Sequence, residues 1–187
     1  MRFSEIVSSL AEEFGEETLV AADEAAIQPY IEVPAGEIAP VCRFLFEAPE
    51  LFFDFLACIT GVDNGPEKGT MEVIYHLNSI PFGHNLVIKV TVERSPGNDE
   101  LPKVPTVSDI WRTADWHERE IYDLFGISFE RHPDMRRILM PADWEGFPLR
   151  KDYREQLYYH GIKVAYEDRE DPGKFPGNMQ TGFDISL

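Results

Sequence analysis

Met71–Val92 reads MEVIYHLNSIPFGHNLVIKVTV, and both halves carry the pattern of a sheet. Leu86, Ile88, Val90 and Val92 alternate with Val87, Lys89 and Thr91, which sends the two sets to opposite faces of one strand. Met71–Leu77 is β-prone in the same way. The SIPFG segment between them holds Pro81 and Gly83, residues suited to reversing a chain. Upstream, Phe53–Val62 is a third apolar run, separated from Met71 by the turn-rich NGPEKG. These segments predict an antiparallel meander of three strands, which needs helices to cover its apolar face.

The flanking sequence supplies them. Phe3, Ile6, Val7, Leu10 and Phe14 fall at helical spacing, with Ser4 as a candidate cap and Gly15 as a stop. Ile38, Val41, Cys42, Leu45 and Phe46 mark a second helix that ends at the Ala48-Pro49 step. Two short β-prone runs, Leu19–Ala22 and Tyr30–Val33, lie between the two helices. Downstream, a third helix is expected over Thr106–Phe125, with Thr106 and Asp109 spaced as a capping box and Gly126 ending it. Ile110, Ala114, His117, Ile121 and Leu124 would line one face of this helix, and Trp111, Tyr122 and Phe125 a neighbouring one.

The expected fold is therefore α+β: a two-layer domain whose mixed, largely antiparallel sheet of about five strands is covered by helices, followed by an extended C-terminal arm. The expected division is residues 1–130 for the domain, including the helix at 106–125, and 131–187 for an extended interface segment and arm. After Arg154 there is no sustained periodicity, and EDREDPGKFPGN cannot form a packed core by itself.

Composition narrows the function. The chain has 187 residues, 17 basic against 34 acidic, for a formal net charge of -17. Nucleic acid is therefore not expected as a partner. Cys42 and Cys58 form no CxxC pair, so a four-thiolate zinc or iron-sulfur site within the chain is excluded, and each reads as a thiol in an apolar run. The N-terminus does not resemble a signal peptide, and no apolar run approaches the roughly 18 to 20 residues of a membrane span. The chain is expected to be soluble and to meet a membrane only through a partner.

Trp116–Arg154 is the densest mixture of charge, aromatic bulk and Pro/Gly punctuation. His117-Glu118 begins like a zinc-binding HExxH helix, but position 121 is Ile, so that reading fails and His117 reads as a core or interface histidine. Glu118 and Glu120 stand about 200° apart around a helix and do not form an acid and base pair. Arg119 and Asp123, four apart, are spaced for a helix-surface ion pair. Phosphate-loop, dinucleotide and serine-hydrolase signatures are absent.

Within Arg131–Arg154 six bases stand against four acids. Arg136 and Arg137 are adjacent guanidinium groups suited to bidentate contact with carboxylates. Ile138, Leu139, Met140, Trp144, Phe147 and Leu149 interleave with the charges, a mixture expected of an interface core with a polar rim.

The order and spacing of Glu118-Arg119-Glu120, Asp123-Leu124-Phe125-Gly126, His132-Pro133, Arg136-Arg137-Ile138-Leu139, Asp143-Trp144-Glu145-Gly146 and Pro148-Leu149-Arg150-Lys151-Asp152-Tyr153 resemble the 30-kDa subunit, also called the C subunit, of the NADH:quinone oxidoreductase of respiratory complex I. The Phe55-Leu56 to Gly61-Val62-Asp63 run and Tyr75-His76-Leu77 fit it too, and the likeness covers roughly residues 35 to 155. The resemblance implies a noncatalytic assembly subunit of the hydrophilic arm, beside the 49-kDa-type (D) subunit that helps form the quinone pocket. It implies that FMN and iron-sulfur clusters sit in other subunits, carrying electrons from NADH to quinone with coupled proton translocation. It implies a peripheral position on the cytoplasmic side of the inner membrane, with the 49-kDa-type subunit expected as a separate chain.

On this reading the partner interface comprises Glu118, Arg119, Glu120, Asp123, His132, Arg136, Arg137, Asp143, Trp144, Arg150, Lys151, Asp152 and Tyr153, with no catalytic, cofactor-binding or metal residues. The alternatives are the equivalent subunit of a membrane-bound hydrogenase or other donor-driven complex, a stand-alone enzyme using His117, Glu118 and Arg136 or Arg137, or a regulatory binding module.

Overall fold

The computed structural model describes residues 1–95 and 100–164. The EDREDPGKFPGN stretch lies outside them. The chain divides into two units, the first Met1–Tyr153 and the second beginning at Arg154. The first therefore runs past the boundary expected at residue 130.

The first unit contains helices α1 (Phe3–Phe14), α2 (Ile38–Glu47) and α3 (Ala114–Phe125). Its main sheet comprises β1 (Ala21–Asp23), β2 (Tyr30–Glu32), β3 (Phe55–Asp63), β4 (Thr70–Ser79) and β5 (His84–Glu93), in the order β1-β2-β5-β4-β3. Only the β2–β5 pair is parallel; β1–β2, β5–β4 and β4–β3 are antiparallel. The expected meander and mixed sheet are present. Met71, Val73, Tyr75 and Leu77 of β4 and Leu86, Ile88 and Val90 of β5 point into one buried face. Ile6 and Leu10 of α1 and Val41, Cys42 and Leu45 of α2 share that core.

Two expected helix starts are placed differently. α1 begins at Phe3 rather than after a Ser4 cap; the Glu5 carboxylate accepts the Arg2 backbone N–H at 2.8 Å, while the Ser4 carbonyl accepts the Ser8 hydroxyl. α3 starts at Ala114, eight residues later than Thr106. Thr106 instead extends a small parallel sheet, β6 (Lys103–Pro105) with β7 (Ser128–Glu130), its N–H donating to the Glu130 carbonyl at 3.1 Å. Residues 107–111 then turn sharply, since Ile110 and Trp111 both donate to the Val107 carbonyl. β6 and β7, three residues each, are too short to leave a period in the sequence.

α3 packs on β3. A Cβ built at Gly61 would lie 2.9 Å from Phe125 Cδ2 and 3.2 Å from Ile121 Cγ2, so the glycine admits the helix at close range. In the second unit, β8 (Tyr158–Tyr159) and β9 (Ile162–Lys163) form a small antiparallel hairpin in a region expected to be an extended arm. His160 and Gly161 both have positive φ, the geometry that a two-residue hairpin turn requires.

Gly61→Val should cost ~1–3 kcal/mol by overpacking the β3–α3 seam, measured by urea denaturation. Unchanged stability would contradict the close approach.

Candidate functional site

The residues of the Trp116–Arg154 motif divide between those that lock the chain to itself and those left facing outward. The lock is built at the C-terminal end of α3. Helix geometry leaves the last carbonyls without intrahelical partners and gathers partial negative charge there. α3 has no basic residue in its own last turn. Gly126, left-handed at φ 71, donates to the Tyr122 carbonyl at 3.0 Å, and the segment 131–153 returns across the helix end as a strap that satisfies the groups that follow. Arg137 Nη1 donates to the Asp123 carbonyl at 3.3 Å, the Leu149 N–H to Leu124 O at 3.0 Å, Arg150 Nε to Phe125 O at 2.7 Å, and Arg150 Nη2 to Gly126 O at 3.3 Å.

Asp123 anchors the same turn. Its side chain is fully buried, and Oδ2 accepts the backbone N–H groups of Ile138, Leu139 and Met140 at 3.0, 2.7 and 2.8 Å. Oδ1 pairs with Arg137 Nη1 at 2.9 Å. Arg137 Nη2 reaches the Gly146 carbonyl at 2.8 Å. The Phe147 ring packs against two guanidinium groups, Arg137 at 5.3 Å and Arg150 at 4.6 Å from its centroid. A Cβ at Gly126 would come within 2.5 Å of that ring, so both the conformation and the space at 126 call for glycine.

A second carboxylate fastens the far end of the strap to the sheet. Asp63, at the end of β3, accepts the Lys151 N–H at 2.7 Å, the Gly65 N–H at 3.0 Å and Arg94 Nε at 2.9 Å, and Arg94 also bonds Asp152. Burial alone would raise the Asp63 carboxyl, but these donors outweigh it and hold it below the ordinary carboxylate range.

Glu118 is the third buried carboxylate. It accepts the Val107 N–H at 2.8 Å and bonds the Thr106 hydroxyl, fixing the turn before α3. The buried His132 ring stands 3.8 Å from it, with Nε2 also 3.2 Å from the Asp115 carbonyl and Nδ1 accepting the Asp134 N–H at 3.0 Å. Burial pushes the Glu118 carboxyl up to about 7, opposed by its two hydrogen bonds and assisted by Asp115 and Asp109.

This geometry revises several expectations for partner contact. Glu118, Asp123, Arg150 and the His132 side chain are buried and bonded within the chain. The expected Arg119–Asp123 surface pair is replaced: Arg119 lies 3.7 Å from Asp134, donates to the Arg136 carbonyl at 3.3 Å and stacks on Trp116, while Asp123 takes Arg137. The neighbouring arginines differ sharply, with the Arg136 side chain 73% exposed and Arg137 14%. Glu120, Arg136, Asp143, Lys151 and Asp152 face outward, while Trp144 and Tyr153 are half-buried and bond each other at 3.0 Å.

Sequence reasoning did not single out Trp116, which is 64% exposed, or Asp63 and Arg94 as an anchor for the strap. The unusual set of apolar residues among charges was the available signal for exposed Leu139 and Leu149. Among the described residues, no three His, Cys, Asp or Glu side chains are grouped to hold a metal ion. Cys42 is buried, and burial pushes its thiol well up, away from the thiolate form that ligates metals.

Arg137→Ala should cost ~3 kcal/mol, because it leaves a buried carboxylate without its cation, whereas Arg136→Ala should cost at most ~0.5 kcal/mol; equal losses in urea denaturation would contradict the division. For Glu118, the folded carboxyl titrates near 7 against an ordinary 4.5, so between those values the folded state holds a proton that the unfolded chain has released. Its contribution to stability is therefore full below 4.5 and lost as pH rises through 7. Wild type should lose ground to Glu118→Gln in melting temperature from pH 5 to pH 8, and parallel profiles would count against it.

Residues 31–159 match the family described as respiratory-chain NADH dehydrogenase, 30 Kd subunit. The chain is 44% identical over 157 residues to the C subunit of the NADH-quinone oxidoreductase of Chlorobium phaeobacteroides, covering 83% of this chain and 90% of that protein. It is 50% identical over 154 residues to the corresponding C 2 subunit of Rhizobium meliloti, covering 82% and 77%. Against the C/D subunit of the NADH-quinone oxidoreductase of Phocaeicola vulgatus it is 42% identical over 145 residues, covering 78% of this chain and 26% of that protein. The fold is also similar to a chain in the structure of the membrane-bound sulfane sulfur reductase, an archaeal respiratory membrane complex, with a TM-score of 0.68, 28% identity, and coverage of 92% and 98%. This chain belongs to the family of the 30 Kd subunit of respiratory-chain NADH dehydrogenase.

Proposed function

We propose that the chain is a noncatalytic assembly subunit of the peripheral arm of NADH:quinone oxidoreductase, where it fastens the 49-kDa-type subunit and its neighbours. Electrons pass from NADH through FMN and iron-sulfur clusters in other subunits to quinone, coupled to proton translocation, and this chain contributes geometry. The observation that carries the reading is the locked strap. Asp123, Arg137 and Arg150 are consumed in holding it, so Trp116, Glu120, Arg136 and Leu139 are presented on a rigid surface. Exposed Trp and Arg on a preorganised support are the side chains that most often dominate protein interfaces.

The C/D protein of Phocaeicola vulgatus supports the 49-kDa-type (D) subunit as the partner, since its name joins C and D in one chain. No helix among the described residues is long and apolar enough to cross a membrane. The chain sits on the cytoplasmic side of the inner membrane, held there through the complex. Rigid attachment matters because electron tunnelling and quinone placement both depend on ångström-scale distances.

Trp116→Ala combined with Arg136→Glu should leave the isolated chain's melting temperature within a few degrees of wild type. It should lower recovery of the 49-kDa-type subunit at least ~30-fold, the equivalent of about 2 kcal/mol, in affinity purification from gently solubilised membranes. Undiminished recovery, or NADH or quinone turnover by the isolated chain, would overturn the reading.

A further inference from the structure

β3 is terminal in the main sheet, and its edge away from β4 takes no backbone hydrogen bond from the described residues. Exposed edges of folded proteins are usually blunted by Lys or other charged residues, or by Pro, because open backbone groups invite another strand. Phe55–Val62, FLACITGV, has none of these. One bulge, at Ala57 between the paired residues Leu56 and Cys58, interrupts the start, and Cys58–Val62 then pairs regularly with β4. Ala57 and Thr60 are exposed along this edge.

An apolar shelf adjoins the open strand. Phe55, Phe52, Ile80 and Phe82 are all exposed. They gather at one end of the sheet: the Ile80 N–H donates to Asp54, and Phe82 stacks at 5.8 Å on His84, which also packs on Phe53 and contacts the Leu51 carbonyl. Phe52 is held at φ 36, a conformation that a non-glycine residue adopts only when its surroundings impose it. Single exposed aromatics need no explanation, but four large apolar residues beside an open edge do.

We propose that the β3 edge accepts an added strand from a partner subunit, an extended segment with alternating apolar residues and basic flanks. Backbone pairing along Cys58–Val62 would supply the affinity, and the shelf of Phe55, Ile80 and Phe82 would receive the segment's apolar side chains. Charge selects this occupant over a second copy of the chain. Between Phe44 and Ile88 one base, Lys68, stands against six acids, and residues 1–100 carry 18 acids and five bases. Two such surfaces repel each other, whereas a basic segment is attracted. The site is also continuous with the strap face, because α3 packs on β3 at Gly61.

The inference rests on the reading that the chain is held in a complex, and the test separates the two. Hydrogen exchange is measured on the isolated chain and on the complex recovered from membranes through a tag on this chain. Outward amides of Phe55–Val62 should exchange at least tenfold more slowly in the complex, with β4 and β5 unchanged. Phe55→Asp with Phe82→Asp, and separately Thr60→Lys, should abolish that protection, while each isolated variant keeps its circular dichroism and melting temperature. Recovery of the 49-kDa-type subunit with no change at β3 would overturn the strand addition alone. Failure to recover any complex would overturn both readings. Concentration-dependent protection in the isolated chain, with a dimer in sedimentation, would assign the edge to a second copy and overturn the proposal.

Discussion

The Asp123 carboxylate is the constraint on which this molecule's candidate site depends. A buried carboxylate is costly to desolvate unless donors surround it, and here it receives one guanidinium and three consecutive backbone N–H groups. The three amides belong to residues 138–140, so a single side chain determines the conformation of a whole turn of the strap. With the strap in place, Arg137, Leu149 and Arg150 reach the end of α3 and supply both the hydrogen bonds and the positive charge that the helix lacks. The helix and the strap therefore stabilise each other. Asp63 closes the arrangement from the sheet side through Lys151 and Arg94.

The same lock sorts the charges of the segment into those that hold it and those that face outward. Glu118, Arg119, Asp123, Arg137 and Arg150 are spent inside the chain, and what faces outward is a mixed set: Trp116, the leucines, the bases Arg131, Arg136, Lys151 and Arg154, and acids such as Glu120 and Asp152. A loop of this length without an internal lock would have to be ordered at the moment of docking, at a cost in conformational entropy. Locking it in advance suits the assembly role proposed for this chain, in which a fixed surface is what it contributes.

The sheet was legible from the sequence because its strands are long and alternate cleanly. Leu86, Ile88 and Val90 sit where period two places them, and the turns at 64–69 and 80–83 carry Gly and Pro. β6 and β7 were not legible, since three residues leave no period and their pairing joins segments 25 apart in sequence. The start of α3 was misread for a related reason. Thr106 has the spacing of a cap, but its partner is a strand 24 residues later and its hydroxyl serves Glu118 rather than a helix N-terminus. Gly126 was read correctly as a helix stop, while its second role, making room for Phe147, depended on where the strap returns. For the site, spacing identified the segment but could not sort it. Arg136 and Arg137 are neighbours of identical chemistry, and which one faces Asp123 is decided by the path of the backbone.

Residues 131–153 are thus a structural part of the first compact unit, held by Asp123, and not a loosely attached arm. Native-state hydrogen exchange at the amides of Ile138, Leu139 and Met140 tests this most directly, with the core amides of β4 as the internal reference. If Asp123 holds the strap, these three amides exchange only through opening with a free energy close to that of β4, and Asp123→Ala releases them. Exchange at low free energy in the wild-type chain, with β4 still protected, would contradict it.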